Sequence, residues 1–297
     1  MLENRSNRRV DAKPELVRRR VMVSAWIRAE IIEMRSLDSE FKYESDTPRT
    51  QIVFPVQGLH YIGTGAREVL LDLNQVALVP RGISTKDRHP ALGDVVCIVV
   101  TPAPELLDEI WQRPDAQVPD LAGNTCVIRP IEPADQVRAG LLAARSVPGT
   151  DNPAFEEILI AMLQRTVRRR FDRAFRATSR SLALVAKVKE LLATTGELLS
   201  LGQIASAAGA SPAYLTDLFH RIEGIPIYRY QTRLRLARAL SQLAHANDIT
   251  QLALELGFSS HSHFSSAFRS RFGITPSRYR ESTGRRDRGA LLPPGLV

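Results

Sequence analysis

The side chains best suited to chemistry in this chain are short, polar and gathered in two similar sets near its C-terminal end. One set is Ala213, Thr216, Asp217 and His220; the other is His261, Ser262, His263, Ser265, Ser266 and Arg269. Each set is what remains facing outward once the apolar positions of a short helix are assigned to a core. Hydroxyl, carboxylate, imidazole and guanidinium groups on a helix surface are suited to hydrogen-bonding with base edges and phosphates in a DNA groove. Covalent chemistry is not indicated. No Gly-rich phosphate loop and no nucleophile elbow occurs, so no catalytic residue is assigned. His261 and His263 stand two positions apart, diverge on a helix and do not form a metal pair.

Both sets lie in the second half of a repeated pattern, over residues 201–222 and 249–272. A helix-turn-helix needs a small residue where two helices cross and a glycine where the turn goes left-handed. Ala205 and Gly209 fill these positions in the first copy, and Ala253 and Gly257 in the second. Ile204, Ala208, Leu215, Leu218 and Phe219 form the apolar clamp of the first; Leu252, Leu256, Phe264, Ala267 and Phe268 repeat it. Ser211 is a good N-cap with Pro212 following at the first helical position. The spacing predicts recognition helices over about 212–222 and 262–272. Ile204 and Leu252 are 48 residues apart but Phe219 and Phe268 are 49 apart, so the second turn is one residue longer. Residues 226–243 between the copies read as one helix of roughly 25 Å, close to one turn of DNA. Arg221, Arg269 and Arg271 are phosphate candidates.

This region closely resembles the AraC/XylS family of bacterial transcription regulators. The match is carried by Ile204-Ala-Ser-Ala-Ala-Gly-Ala-Ser-Pro-Ala-Tyr-Leu215, by Arg233-Leu-Arg-Leu-Ala-Arg-Ala-Leu240 and by Leu256-Gly-Phe-Ser-Ser-His-Ser-His-Phe-Ser-Ser-Ala-Phe-Arg269. The ending Phe272-Gly-Ile-Thr-Pro-Ser-Arg-Tyr-Arg280 matches as well. The resemblance covers about a third of the chain. It implies double-stranded DNA as partner, with the positions of Ala213, Thr216, Asp217, His261, Ser262, His263 and Ser266 meeting base edges. Asp217 and Ser266 depart from the pattern, since some members place arginine there. Asp217 can accept from cytosine N4 or pair with Arg221, and the sequence leaves both open. Activation through RNA polymerase is common in the family, so an activator is expected in preference to a repressor.

The N-terminal part looks β-rich between about residues 21 and 100. Residues 51–56 and 94–100 are apolar strands, and 68–73 and 76–79 flank Asn74-Gln75, the length of a tight hairpin loop. Residues 51–60, 68–82 and 89–95 more loosely resemble cupin-like sensor domains, which implies a small-molecule effector held in a β-barrel. A metal cupin needs clustered histidines and a carboxylate. His60 and His89 stand alone with Glu68 as the nearest carboxylate, so neither a metal nor another cofactor is expected.

The expected fold class is therefore α+β: a cupin-like β-barrel followed by an all-α domain with two helix-turn-helix motifs joined by a linker helix. The expected divisions are a flexible segment 1–20, a sensor 21–130, a helical dimerisation or linker segment 131–180, a DNA-binding domain 181–282 and a flexible tail 283–297. Helices are expected over 105–112, 132–145 and 154–177. The stripe of Phe155, Ile158, Leu159, Met162, Leu163, Val167 and Phe171 is either core or the seam of a homodimer, and the arginines at 168–170 read as a solvated face.

The formal net charge is +8; residues 181–297 hold 14 Lys/Arg against 8 Asp/Glu, so most of the excess lies with the repeated motif. Two cysteines without metal or redox spacing, Cys97 and Cys126, fit a reduced interior. No apolar run reaches membrane-spanning length and no signal peptide is recognisable, so a cytoplasmic, nucleoid-associated protein is expected. The rival readings are a nucleoid-architectural protein and a cupin enzyme with an appended DNA domain.

Overall fold

A computed structural model describes residues 15–35, 42–64, 67–88, 94–112, 127–145, 153–168, 178–195 and 198–284. Its strands are β1 (Glu15–Val23), β2 (Ile27–Arg35), β3 (Lys42–Thr47), β4 (Gln51–Gln57), β5 (His60–Thr64), β6 (Arg67–Leu71), β7 (Gln75–Val79), β8 (Ile83–Arg88) and β9 (Val95–Pro102), with β10 (Val127–Pro130) following helix α1 (Pro104–Trp111). The remaining helices are α2 (Pro133–Arg145), α3 (Pro153–Arg168), α4 (Ser179–Thr194), α5 (Leu201–Ala208), α6 (Pro212–Glu223), α7 (Ile227–Leu243), α8 (Ile249–Glu255), α9 (His261–Phe272) and α10 (Pro276–Gly284).

The strands form two antiparallel sheets, ordered β1-β2-β9-β4-β7-β10 and β3-β8-β5-β6. The strands of the larger sheet are apolar on both faces because both faces are covered. Ile52, Phe54, Val76, Leu78, Ile98 and Val100 pack towards α1 and α3. Val53, Ala77, Val79, Cys97 and Val99 point the other way, into the space before the smaller sheet. This is the two-residue period of a strand applied to an uninterrupted apolar run, and it explains why the runs at 51–56 and 95–100 carry no polar alternation.

Several expectations are corrected. Among the described residues no ladder joins the edges of the two sheets, so they face each other as an open sandwich and not as a closed barrel. The expected hairpin around Asn74-Gln75 is absent. β6 pairs with β5 in the smaller sheet, while β7 pairs with β4 and β10 in the larger. The Asp72 carboxylate accepts from the Asn74 amide at 2.8 Å, and the Asp72 carbonyl accepts from Gln75, turning the chain out of one sheet and into the other. Residues 15–20, assigned to the flexible start, pair with β2 along β1. Thr283 and Gly284, assigned to the tail, end α10. Residues 1–14, 146–152, 169–177 and 285–297, and with them Phe171 and the arginines at 169 and 170, lie outside the described residues, as do His89 and Cys126. Phe155, Ile158, Leu159, Met162 and Leu163 are buried against the larger sheet, so this stripe is core.

Helix α2 has two apolar faces. Ala139 and Leu142 pack with the larger sheet, while Val137 and Leu141 join the core of the C-terminal helices. Its buried carboxylate Asp135 lies 2.8 Å from Arg138 and 2.8 Å from Arg165 of α3. Gly140 lets α2 approach α10, since a Cβ there would overlap the hydroxyl of Tyr279, a side chain with 0% exposure. At an exposed helical position Gly→Ala would stabilise by about 0.5–1 kcal/mol. Here Gly140→Ala is expected to destabilise by about 1–3 kcal/mol through overpacking. Adding Tyr279→Phe should recover part of the loss; a double-mutant cycle by urea unfolding measures the coupling.

Candidate nucleic-acid interface

Each helix-turn-helix is built from local signals in the chain. Ser200 caps α5 by accepting from Gln203, whose side chain returns the bond in a capping box. Gly209 ends α5 at φ +71°, and Gly257 serves the second turn at φ +76°, a left-handed backbone that glycine adopts without steric cost. Ser211 accepts from Tyr214 N to start α6, and Ser260 accepts from His263 N at 3.1 Å to start α9. The cap Ser211 follows Gly209 by two positions and Ser260 follows Gly257 by three, the extra residue that the spacing implied. Ala205 and Ala253, 1% and 0% exposed, lie at the helix crossings.

The outward-facing side chains fall as follows. On α6, Ala213, Thr216, Asp217, His220 and Arg221 are exposed. Thr216 Oγ1 donates to the Pro212 carbonyl at 2.8 Å. The Asp217 carboxylate lies 2.5 Å from Arg221 one turn along, an exposed pair on the helix surface. On α9, which begins one residue before its expected start, His261, Ser262, His263, Ser266 and Arg269 are exposed. His263 Nδ1 lies 3.0 Å from Ser259 Oγ, and its ring meets the edge of Phe258 with centroids 5.4 Å apart. His261 Nε2 lies 3.4 Å from Ser265 Oγ. Arg271 is different: it is half-buried, and its guanidinium donates to Gln136 Oε1 of α2 at 2.9 Å. Glu68 is exposed and bonds Arg88, while His60 is buried on the neighbouring strand opposite Leu71. Among the described residues no three His, Cys, Asp or Glu side chains converge on a common point that could hold a metal ion.

Helix α7 is more than a spacer. Ile227, Tyr230, Leu234 and Ala237 belong to the core of the first motif, and Leu236, Ala239, Leu240 and Leu243 to that of the second. Arg238 donates to the carbonyls of Ala193 and of Leu192, the latter at 3.2 Å, closing the C-terminal end of α4. Arg235 lies 4.0 Å above the Phe258 ring. Sequence periodicity assigns neither role, because an arginine in a helix reads as a surface residue. Tyr214 was also missed as a candidate contact. It is 52% exposed on the first turn of α6, and its only signal was its place just after the Ser-Pro cap.

The first motif is held against the sheets by a buried charge cluster. Lys189 of α4 lies 3.0 Å from Asp72 and 3.3 Å from Glu223 of α6, and donates to Gln75 Oε1 at 3.0 Å. Tyr230 of α7 donates to the same Asp72 carboxylate. Burial works against the lysine charge, but Asp72 and Glu223 outweigh it and raise its pKa. Burial, then Asp72, push the Tyr230 phenol well above its ordinary range, so it stays a donor. Beside this cluster Tyr61 donates to Glu190 at 2.8 Å, and Leu73 inserts among Val188, Leu192 and Leu234.

Two helix-turn-helix units whose recognition helices stand clear of a shared core define a DNA-binding protein. A family profile described as a helix-turn-helix domain matches residues 204–282. The chain is 36% identical over 97 residues to the transcriptional activator AarP of Providencia stuartii, covering 32% of this chain and 72% of that protein. It is also 36% identical over 84 residues to the regulatory protein PocR of Salmonella typhimurium, covering 28% of each. A solved structure of an AraC-type regulator from Chromobacterium violaceum is 34% identical, covers 37% of this chain and all of that one, and has a TM-score of 0.34. The chain belongs to the AraC-type family of DNA-binding transcription regulators. It spans about a quarter of PocR's length, and the profile match at 204–282 lies within the C-terminal helices.

Lys189→Met leaves Asp72 and Glu223 buried beside each other without a cation. The expected loss is about 3–5 kcal/mol, read from the urea midpoint of the whole chain. Combining it with Asp72→Asn, which removes the opposing charge, should recover part of that loss.

Proposed function

We propose that this protein is an effector-responsive transcription activator that reads two successive major-groove segments with α6 and α9. One observation carries the reading: two exposed recognition helices, each set by its own cap and turn glycine, sit at the two ends of one 17-residue helix. Seventeen residues span roughly 25 Å, about three-quarters of the roughly 34 Å repeat of the major groove. The base-edge candidates are Ala213, Thr216, Asp217, His261, Ser262, His263 and Ser266. Arg221 and Arg269 are phosphate candidates. Arg271 joins them only if it leaves Gln136, so its first role is to hold α9 against α2.

An activator is favoured because AarP is named a transcriptional activator, as is RhaS of Escherichia fergusonii. RNA polymerase is the corresponding partner. A partly open cavity lies between the N-terminal sheets, which supports a small-molecule effector there, and the buried contacts of Asp72 and Gln136 give its occupancy a mechanical route to both motifs. A homodimer would have to use a surface other than the α3 stripe, which is already core. A regulator without catalytic function, acting in the cytoplasm at the nucleoid, fits these features; among the described residues no helix is long and apolar enough to cross a membrane.

Footprinting of the full-length protein on the DNA upstream of its own and neighbouring genes tests the reading. Protected segments about one helical turn apart are expected. His263→Ala or Ser266→Ala should change preference among operator variants by about 1–3 kcal/mol at single base pairs. Arg269→Ala should weaken operator and random DNA alike and reduce the salt slope by about 1. Equal losses on operator and random DNA for all three substitutions would overturn the division of roles.

A further inference from the structure

The space between the two sheets holds a partly open cavity of about 60 Å³. This is smaller than the roughly 150 Å³ that accommodates benzene, so it suits a ligand of only a few heavy atoms. Met34, Val53, Ile62, Val79 and Val99 give it an apolar wall. Asp87 stands against that wall. On β8 the residues Ile83, Thr85 and Asp87 alternate onto the inner face, and Ser84 and Lys86 onto the outer. Asp87 is thus aimed inward, opposite Ile62 of β5.

A carboxylate in such a place is normally paired. Among the described residues none offsets this one. Burial alone pushes its carboxyl up to about 7, with no cation and no donor pulling it down. The neighbouring Cys97 thiol is held neutral by burial and by the Asp87 charge, so it supplies no counter-charge. Arg18, an exposed residue of the edge strand β1, also lines the cavity, and burial is the cause that raises the Asp87 carboxyl. His60 and Thr85 add hydrogen-bonding groups to the wall.

We propose that this cavity binds a small organic cation, a short alkylammonium, with the Asp87 carboxylate as its counter-ion and the surrounding valine, isoleucine and methionine side chains around its alkyl part. The proposal rests on the sensor reading above and names the chemical class of the effector. An ammonium supplies the charge and the hydrogen-bond donors that the carboxylate lacks, whereas an anion would meet the like charge of the half-buried Asp87. The outer face of the same sheet carries Tyr61, which donates to Glu190 of α4, so a shift of the smaller sheet on binding reaches the DNA-binding half directly.

Isothermal titration of the full-length protein with n-propylammonium, propionamide and propionate tests the class. The expected result is at least tenfold tighter binding of n-propylammonium than of propionamide, and no binding of propionate. Asp87→Asn should remove at least tenfold of the cation's affinity. Cys97→Met, which fills the cavity, should block it; this variant and the charge preference of the unaltered protein decide the matter should Asp87→Asn fail to fold. Equal or tighter binding of propionamide or propionate, a cation preference that survives Asp87→Asn, or no binding of any probe would overturn the proposal. Footprinting of the same preparation separates the two readings: protected promoter DNA with no cation binding overturns the ligand class alone, and no protection with or without n-propylammonium overturns the regulator reading.

Discussion

The contact between Asp72 and Lys189 is the tie on which the arrangement of this molecule depends. The two side chains are 1% and 5% exposed and come from a turn between sheets and from the first helix of the DNA-binding half. Such a pair adds little net stability, because the cost of removing both ions from water offsets their attraction. Its effect is positional. Any packing that separates the halves while keeping them dry leaves a buried charge unpaired. Glu223 and Tyr230 converge on the same lysine and carboxylate, so α4, α6 and α7 are all referred to one turn between the two sheets.

From that turn the constraint continues to the second motif. Gln136 donates to the Leu73 carbonyl and accepts from Arg271 of α9. Its helix α2 packs on the larger sheet with one face and on the second motif's core with the other. Helix α7 divides its own apolar residues between the two motifs. The relative placement of α6 and α9 therefore has two supports, one within the DNA-binding half and one through the sheets. Movement of the turn 72–75 or of α2 is transmitted to both motifs, which is the kind of coupling a sensor domain requires.

Much of the DNA-binding half was legible because its signals are local. Cap serines, turn glycines and the spacing of apolar residues act within one or two helical turns, and so did the extra residue of the second turn. The sheets were less legible. Residues 67–79 looked like a hairpin because two apolar runs flank a two-residue gap, yet the chain changes sheets there, and the hydrogen bonds that bend it at Asp72 depend on where each run finds its partner strand. The closed barrel failed for the same reason: closure is a property of edge strands far apart in sequence. Arg235, Arg238 and Lys189 look like surface charges in any periodicity and are buried or half-buried only because aromatic rings, helix ends and carboxylates from other segments meet them.

The sequence by itself determined the two motifs, their caps and turns, the helix that spaces them and the polar side chains they present. Those are short-range choices of backbone and side chain, made within a few residues. Only the tertiary structure decided that the stripe on α3 is core, that Arg271 faces α2 and that Asp72 anchors the first motif. Each of these depends on which distant group occupies the space beside a side chain. For a buried charge that neighbour determines whether the position is tolerable at all, and no pattern along the chain reports it.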